Sequence, residues 1–529
     1  MSQYRQGGFR FVCMAALVAV AVACVGGCGD EPAATQKPAK PTNGGGKKRS
    51  TASSYDEANR EREARKREML KRLKEPEPEP PRGMAPRKTP RTFSDLLEEP
   101  DGSSAAGEVA GDDTAEKPLD DAAIAAAGLR KITGKHLTLI TDVPSSAAVD
   151  ELPRVFDLAV PQWVEYFKLD EKKLNGWNLR AVLMKDKEKF KAAGLLPDGL
   201  PEFLNGYARA GVVWFYDQTS DYYRRHLLLH EGTHAAMYTA LGRAGPPWYS
   251  EGMAEYLATH RWADGKLTLR YFPRDPQETP GLGRIKIVRD EFAAGRSLPL
   301  SAVLAYDSTA HRQNEPYAWS WAAVTFLDSH PRYRDQFRRL LADVELNDGA
   351  FNVALRGLFE TDLAQMQEEW QLFVAALEHG YDFEKTAVDF TPGVELSTGG
   401  QSITVAADRG WQNSGVRLTA GQTYRLTASG RYQVADQPRV WWSEPGGVSI
   451  RYYQGRPLGV LLAAVRPDGD GVAPLDGGQP SALLQPTTIG LGAELAPAQS
   501  GTLYFKVNDS AGELGDNEGN LTVNVEPKS

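Results

Sequence analysis

The stretch Tyr222-Tyr-Arg-Arg-His226-Leu-Leu-Leu-His230-Glu231-Gly232-Thr233-His234-Ala-Ala-Met-Tyr-Thr-Ala-Leu241 decides how this chain is read. Its apolar residues recur at helical spacing, Ser220 or Asp221 can cap it, and Gly242 follows its last apolar turn, so a helix is expected across it. Two histidines four apart on a helix face the same way about one turn apart. His230 and His234 can therefore reach one zinc ion, with Glu231 beside the open coordination position. Zinc acidifies a water and polarises a carbonyl, and Glu231 is placed to take the proton as that water attacks. The chemistry implied is hydrolysis of an amide. His226 lies one turn earlier on the same face; it either supports a ligand through a hydrogen bond or is a satisfied core histidine.

Downstream, Pro246-Pro247 forces a turn, and Trp248-Tyr-Ser-Glu-Gly-Met-Ala-Glu-Tyr256 reads as a second helix lying against the first, with Ser250 as its cap. Glu251 then sits at the start of that helix, facing back, as the third zinc ligand. Glu255 follows one turn, or about 5 Å, later, and is either a support for the ligands or the alternative third ligand. A tetrahedral oxyanion needs a further donor. Tyr306, His311 and Tyr317 are candidates, and Tyr317 is preferred because it opens an amphipathic segment running to Leu327.

Upstream, His136–Thr141, Trp177–Met184 and Ala208–Tyr216 read as strands, with helices over Ser146–Phe167 and Lys185–Ala193 between the first two and after the second. Helices are also expected over Tyr333–Val344 and Asp362–Leu377. The His-Glu-x-x-His helix followed by Trp-x-x-Glu-Gly-x-Ala-Glu-Tyr resembles the gluzincin zinc metallopeptidases. From about Leu129 to Asp382 the chain is similar to bacterial lipoproteins carrying a His-Glu-Gly-Thr-His motif in a gluzincin-like layout. The resemblance implies Glu251 as third ligand and Glu255 beside it, with an edge strand that pairs with an extended peptide. A Gly-x-Met-Glu-Asn stretch, used by aminopeptidases to recognise a free amino terminus, is not found, so an endopeptidase is expected rather than an aminopeptidase.

The remaining chain sets the context. Arg5 and Arg10 precede an apolar run from Phe11 to about Val25, too short for a stable membrane span, which reads as a secretory segment. It ends in Val25-Gly-Gly-Cys28, which resembles a bacterial lipobox; that implies lipidation at Cys28 and anchoring in the cell envelope, periplasmic or outer-surface. All three cysteines, Cys13, Cys24 and Cys28, lie here. From residue 29 to 127 the chain is rich in Pro, Gly, Ser, Lys and Glu and reads as a disordered linker. The net charge of −8 gives no reason to expect nucleic acid as a partner.

From Val394 onward short alternating runs separated by Gly and Asn/Asp turns argue for an all-β sandwich. Near its end Asn508-Asp509-Ser-Ala-Gly-Glu513-Leu-Gly-Asp516-Asn517-Glu-Gly-Asn520 gathers the oxygens that a hard cation such as Ca²⁺ takes, or is simply a polar hairpin loop. With Trp411-Gln and Ala428-Ser-Gly430, this loop resembles the calcium-dependent galactose-binding bacterial lectins of the PA-I type. The resemblance implies Asp509, Asp516 and Asn517 as side-chain calcium ligands and a backbone carbonyl from Glu513. Galactose specificity does not follow, because the segment Ser449–Leu458 lacks the sugar-contacting histidine.

The sequence thus predicts a signal peptide (1–28), a linker (29–127), an α+β zincin-like peptidase domain (128–390) and a lectin-like sandwich (391–529). The function expected is zinc-dependent peptide hydrolysis at the cell envelope, with peptide or protein as substrate, glycan or wall polymer as a further partner, and the membrane met only through the lipid. An adhesion or scaffold lipoprotein with an inactive zinc site is the alternative.

Overall fold

The computed structural model describes residues 118–528, apart from 198, 201, 202, 204, 210, 308, 345–347 and 470–479. Cys28, the secretory segment and the linker as far as residue 117 lie outside the described residues. Order begins earlier than the expected Leu129. Asp120 caps a short helix α1 (Asp121–Ala126) by accepting from the backbone N–H groups of Ala122 and Ala123. Its Ile124 is buried with Leu129, Ile140, Val182, Phe190 and Trp214, which outweighs the polar composition around it.

A five-stranded sheet follows, built from β1 (Arg130–Thr133), β2 (Leu137–Thr141), β3 (Leu179–Met184), β4 (Gly206–Arg209) and β5 (Val212–Tyr216) in the order β1-β2-β3-β5-β4. β2, β3 and β5 run parallel, while β1 and β4 are antiparallel edges. The expected single strand Ala208–Tyr216 is therefore a hairpin. Gly211, with φ +77°, supplies the left-handed turn that lets the chain reverse. The expected helix Ser146–Phe167 is likewise divided, into α2 (Ala147–Asp150) and α3 (Leu152–Phe167), because Pro153 has no N–H to continue the ladder.

After α4 (Lys187–Ala192) come the motif helix α5 (Asp221–Leu241) and its partner α6 (Pro247–Ala258), then a β6–β7 hairpin (His260–Ala263, Lys266–Leu269). Ser220 caps α5 through Tyr223 N, and Gly242 closes it at φ +81°. α6 starts three residues before Ser250: Pro247 occupies its first position, where a missing N–H costs nothing. The lower half is helical, with α7 (Arg284–Ala293), α8 (Leu300–Leu304), α9 (Asn314–Ser329), α10 (Arg334–Arg339), α11 (Asp348–Leu358), α12 (Leu363–Ala376) and α13 (Phe383–Thr386). The helix expected over Tyr333–Val344 is α-helical only in α10 and continues as a 3₁₀ turn.

Two glycines set the spacing of the helices around the motif. A Cβ on Gly232 would lie 2.5 Å from Phe156 and 2.9 Å from Trp163, so α3 packs directly on the motif. A Cβ on Gly252 would lie 2.6 Å from the Ser320 carbonyl, so α6 and α9 touch along their backbones. Among the described residues no helix is long and apolar enough to cross a membrane.

The C-terminal region is β-rich. Strands β8 (Val394–Glu395), β9 (Gln401–Ala406), β10 (Gln412–Leu418), β11 (Tyr424–Ser429), β12 (Tyr432–Ala435), β13 (Trp441–Ser443), β14 (Val448–Tyr453), β15 (Arg456–Leu458), β16 (Leu461–Pro467), β17 (Thr487–Thr488), β18 (Gly492–Leu495), β19 (Gly501–Val507) and β20 (Asn520–Pro527) follow in order. Two sheets, β17-β16-β19-β10-β8 and β18-β11-β20-β9, share one core in which Val416, Leu461 and Phe505 meet Val405, Leu426 and Val523.

The outer face of the first sheet is covered by the helical half. Val388 and Phe390 pack on Trp411, Leu462 and Tyr504. Buried Glu368 of α12 accepts from Arg466 Nε at 2.8 Å and Ser481 Oγ at 2.7 Å. At the second contact Asp382 N donates to Ala511 O at 3.1 Å, and Ser510 Oγ and Tyr453 OH both donate to Glu378. The backbones there are so close that a Cβ on Gly512 would lie 2.1 Å from the His379 carbonyl.

Candidate metal centre

Helices α5 and α6 bring His230, His234 and Glu251 together. Glu251 Oε2 lies 3.3 Å from His230 Nε2 and 3.4 Å from His234 Nε2. The other ring nitrogens are engaged: His230 Nδ1 faces Glu255 Oε1 at 3.3 Å, and His234 Nδ1 faces Ser250 Oγ at 3.2 Å. His230 Nε2, His234 Nε2 and Glu251 Oε2 thus face one another across a small gap. Glu251 Oε2 is buried and has no aligned hydrogen-bond donor. Three ligand atoms held this way can hold a metal ion, and two imidazoles with a carboxylate are a donor set that zinc takes.

The electrostatics agree. Burial alone would lower the His230 pKa, but Glu251 and Glu255 outweigh it and push it up to about 10. Burial likewise opposes charge on Glu251, yet His234 and His230 hold its carboxyl well below the usual carboxylate range. The site thus attracts positive charge.

Glu255 is committed elsewhere. Arg284 of α7 grips it with two hydrogen bonds, of 2.8 and 2.7 Å, while His226 Nε2 approaches at 3.2 Å and His230 Nδ1 at 3.3 Å. Burial would raise its pKa, but Arg284 and the imidazoles hold it well below the ordinary range. His226 is fully buried and spans Glu255 and the Ala258 carbonyl, so it braces α5 against α6.

Glu231 is buried beside the metal-type ligands, and burial raises its pKa despite the two nearby imidazoles. The edge strand β4 meets it at Gly206, where a Cβ would lie 2.6 Å from Glu231 Oε1. Tyr317, in the first turn of α9, has its ring centroid 6.1 Å from that of His230. Burial, then Glu251, Glu231 and Glu255, raise its pKa well above 10, so its hydroxyl keeps its proton. Arg284 stacks 5.6 Å over the same ring. His311 lies against Tyr317 at 5.0 Å and bonds Ser320 Oγ, and Tyr306 stands behind it at 5.7 Å.

Arg284, Ser250 and Gly206 were not singled out from the sequence. Ser250 carried a signal, one turn of helix from the loop, but was read as a cap. Arg284 carried none, being far along the chain from Glu255. Gly206 is legible only once β4 is known to lie beside Glu231.

In the C-terminal loop, Asp509 Oδ1 accepts from Ser510 N and Oδ2 from Asn517 Nδ2 at 2.9 Å. Asp516 Oδ1 and Asn517 Oδ1 are buried without a partner. Burial, with Glu513 and Asp516 nearby, pushes Asp509 up to about 7. Carboxylate and amide oxygens are the donor types that a hard cation takes. The Glu513 side chain points away and pairs with Arg451.

No protein-family model matches the chain, and no curated protein does. Among solved structures it is similar to a PllA-like lectin, the EclA N-terminal domain, with 22% identity over 24% of this chain and 95% of that one and a TM-score of 0.18. It is also similar to an IMPa metallopeptidase in complex with T-antigen, with 11% identity, a TM-score of 0.15 and coverage of 75% of this chain. This chain spans 42% of that metallopeptidase.

Proposed function

We propose that the protein is a zinc-dependent endopeptidase of gluzincin type, with a zincin-like catalytic half. The observation that carries this reading is the convergence of His230 Nε2, His234 Nε2 and Glu251 Oε2, with an orphaned oxygen at its centre and Glu231 alongside. Bound to these three residues, zinc supplies Lewis acidity toward the scissile carbonyl and the attacking water. Glu231, its pKa raised by burial, takes the proton as the water oxygen bonds to the carbonyl carbon, then passes it to the leaving nitrogen as the C–N bond breaks. Tyr317 keeps its proton and is the donor to the oxyanion. Gly206 leaves room for Glu231 beneath an extended peptide paired along β4.

The same reading places the protein at the cell envelope, lipidated at Cys28, with Ca²⁺ at Asp509, Asp516, Asn517 and the Glu513 carbonyl, and with the sandwich holding glycan or wall polymer. Metal analysis of the purified chain and cleavage of a peptide library test it. One zinc per chain is expected, and Glu231→Gln keeps the zinc while lowering kcat by about 10²–10⁴-fold. A chain without zinc overturns the reading; zinc with no Glu231-dependent cleavage favours an inactive scaffold. Loss of a metabolic lipid label in Cys28→Ser checks the anchor, and a glycan array with and without calcium checks the sandwich.

A further inference from the structure

A cleft separate from the metal centre opens where α12 meets the sandwich. Its cavity volume is about 110 Å³, and it is partly open to solvent. Leu372, Leu462 and Leu483 form an apolar wall, and Lys506, Arg456 and Arg409 bring cations to it.

Among the described residues these three cations make no ion pair, and Lys506 has no hydrogen-bond partner. The Lys506 ammonium instead rests 5.5 Å over the Trp411 ring. Arg456 reaches only the Pro486 carbonyl at 3.4 Å, and Arg409 only the Glu384 carbonyl at 3.5 Å. Two carboxylates lie nearby but are occupied: Asp509 by Ser510 N and Asn517, Glu378 by Tyr453 and Ser510. Burial pushes Lys506 down to about 8, so it is still charged at neutral pH but poorly compensated. Lys506 is half-buried and lacks an anionic partner, and an incoming carboxylate supplies one.

We propose that this cleft is a binding site for a small organic carboxylate, its acid group on Lys506 and Arg456 and its ring or apolar body against Leu372, Leu462 and Leu483. The site draws on both halves of the molecule and needs neither zinc nor hydrolysis. Charge selects an anion, and the apolar wall selects an organic one over inorganic phosphate.

The test is calorimetric titration of the full chain with sodium D-glucuronate, sodium benzoate, neutral D-glucose and inorganic phosphate. At least one of the two acids is expected to saturate the chain with a Kd below about 10 mM, tighter than phosphate, while glucose does not bind. Lys506→Met weakens that acid by about tenfold to a hundredfold, the effect of losing one charge-assisted hydrogen bond, and Lys506→Arg retains it. Neither acid binding, or equal binding by Lys506→Met, overturns the proposal. Acetylation of Lys506 in the unmodified chain gives a readout free of folding defects: the bound acid slows it, and unslowed acetylation at saturation overturns the proposal.

Discussion

At the residue scale, the absence of a side chain at Gly206 is a chemical requirement of the site. An added Cβ would sit 2.6 Å from Glu231 Oε1, and β4 cannot retreat without breaking its pairing to β5. Gly206→Ala is therefore expected to displace the carboxylate, lowering kcat by about tenfold or more while zinc content and Tm stay near those of the unmodified chain. Peptidase assay beside metal analysis checks this; lost zinc would place the fault in the ligands instead. His260 makes a second prediction. Its Nδ1–H donates to Ala258 O at 2.8 Å, so Nε2 is the acceptor for Arg225 Nε at 3.3 Å and has no room for a proton. Burial lowers its pKa from 6.5 to about 3. A depressed histidine stabilises fully above its unfolded pKa and loses that contribution as pH falls toward the folded one. Between pH 6.5 and 5 this amounts to roughly 2 kcal/mol. Urea denaturation at pH 7 and pH 5 should show His260→Gln losing that much less than the unmodified chain; parallel losses would remove His260 as the cause.

At the element scale, the motif helix owes its position to Gly232. The two variable positions of the motif face away from the ligands, and one of them meets α3 at Phe156 and Trp163. Gly232→Ala improves helix propensity but overpacks this contact, so a net destabilisation of about 1–3 kcal/mol is expected by denaturant titration. An unchanged midpoint would mean that α3 yields. The motif helix itself was legible in sequence, from its Ser220 cap to Gly242, because its signals are local. So were β2, β3 and α12, and the β-rich character after Val394. The β4–β5 hairpin was not, since strand propensity is present on both sides of Gly211. Nor was α1, whose stability comes from burying Ile124 under distant strands rather than from its own composition. In the site, His230, Glu231 and His234 could be read from spacing alone. Arg284 could not, because the bond that gives it meaning is tertiary.

At the scale of the molecule, the helical and β-rich halves are joined by polar bonds as well as by apolar packing. Glu368 is wholly buried and balanced by Arg466, and the Gly512 and His379 backbones are in contact. Gly512→Ala inserts a methyl where 2.1 Å is available. Calorimetry should then show a single unfolding transition in the unmodified chain becoming two in the variant, with new proteolytic cleavage near residues 377–391. One unchanged transition in both chains would mean that the Glu368 bonds alone suffice.

Under the proposed hydrolysis and polymer binding, that close seam would fix how the two halves work on one polymer. A module on a loose tether raises the local concentration of whatever it holds, and its partner cuts anywhere within reach. Here, under the proposed function, the seam at Gly512 would make the sandwich a fixed stop and the metal centre a blade at a set span. Under the proposed hydrolysis, cleavage sites are then spaced by distance from the gripped point, as on a gauge, and the length of the product reports the geometry of the molecule.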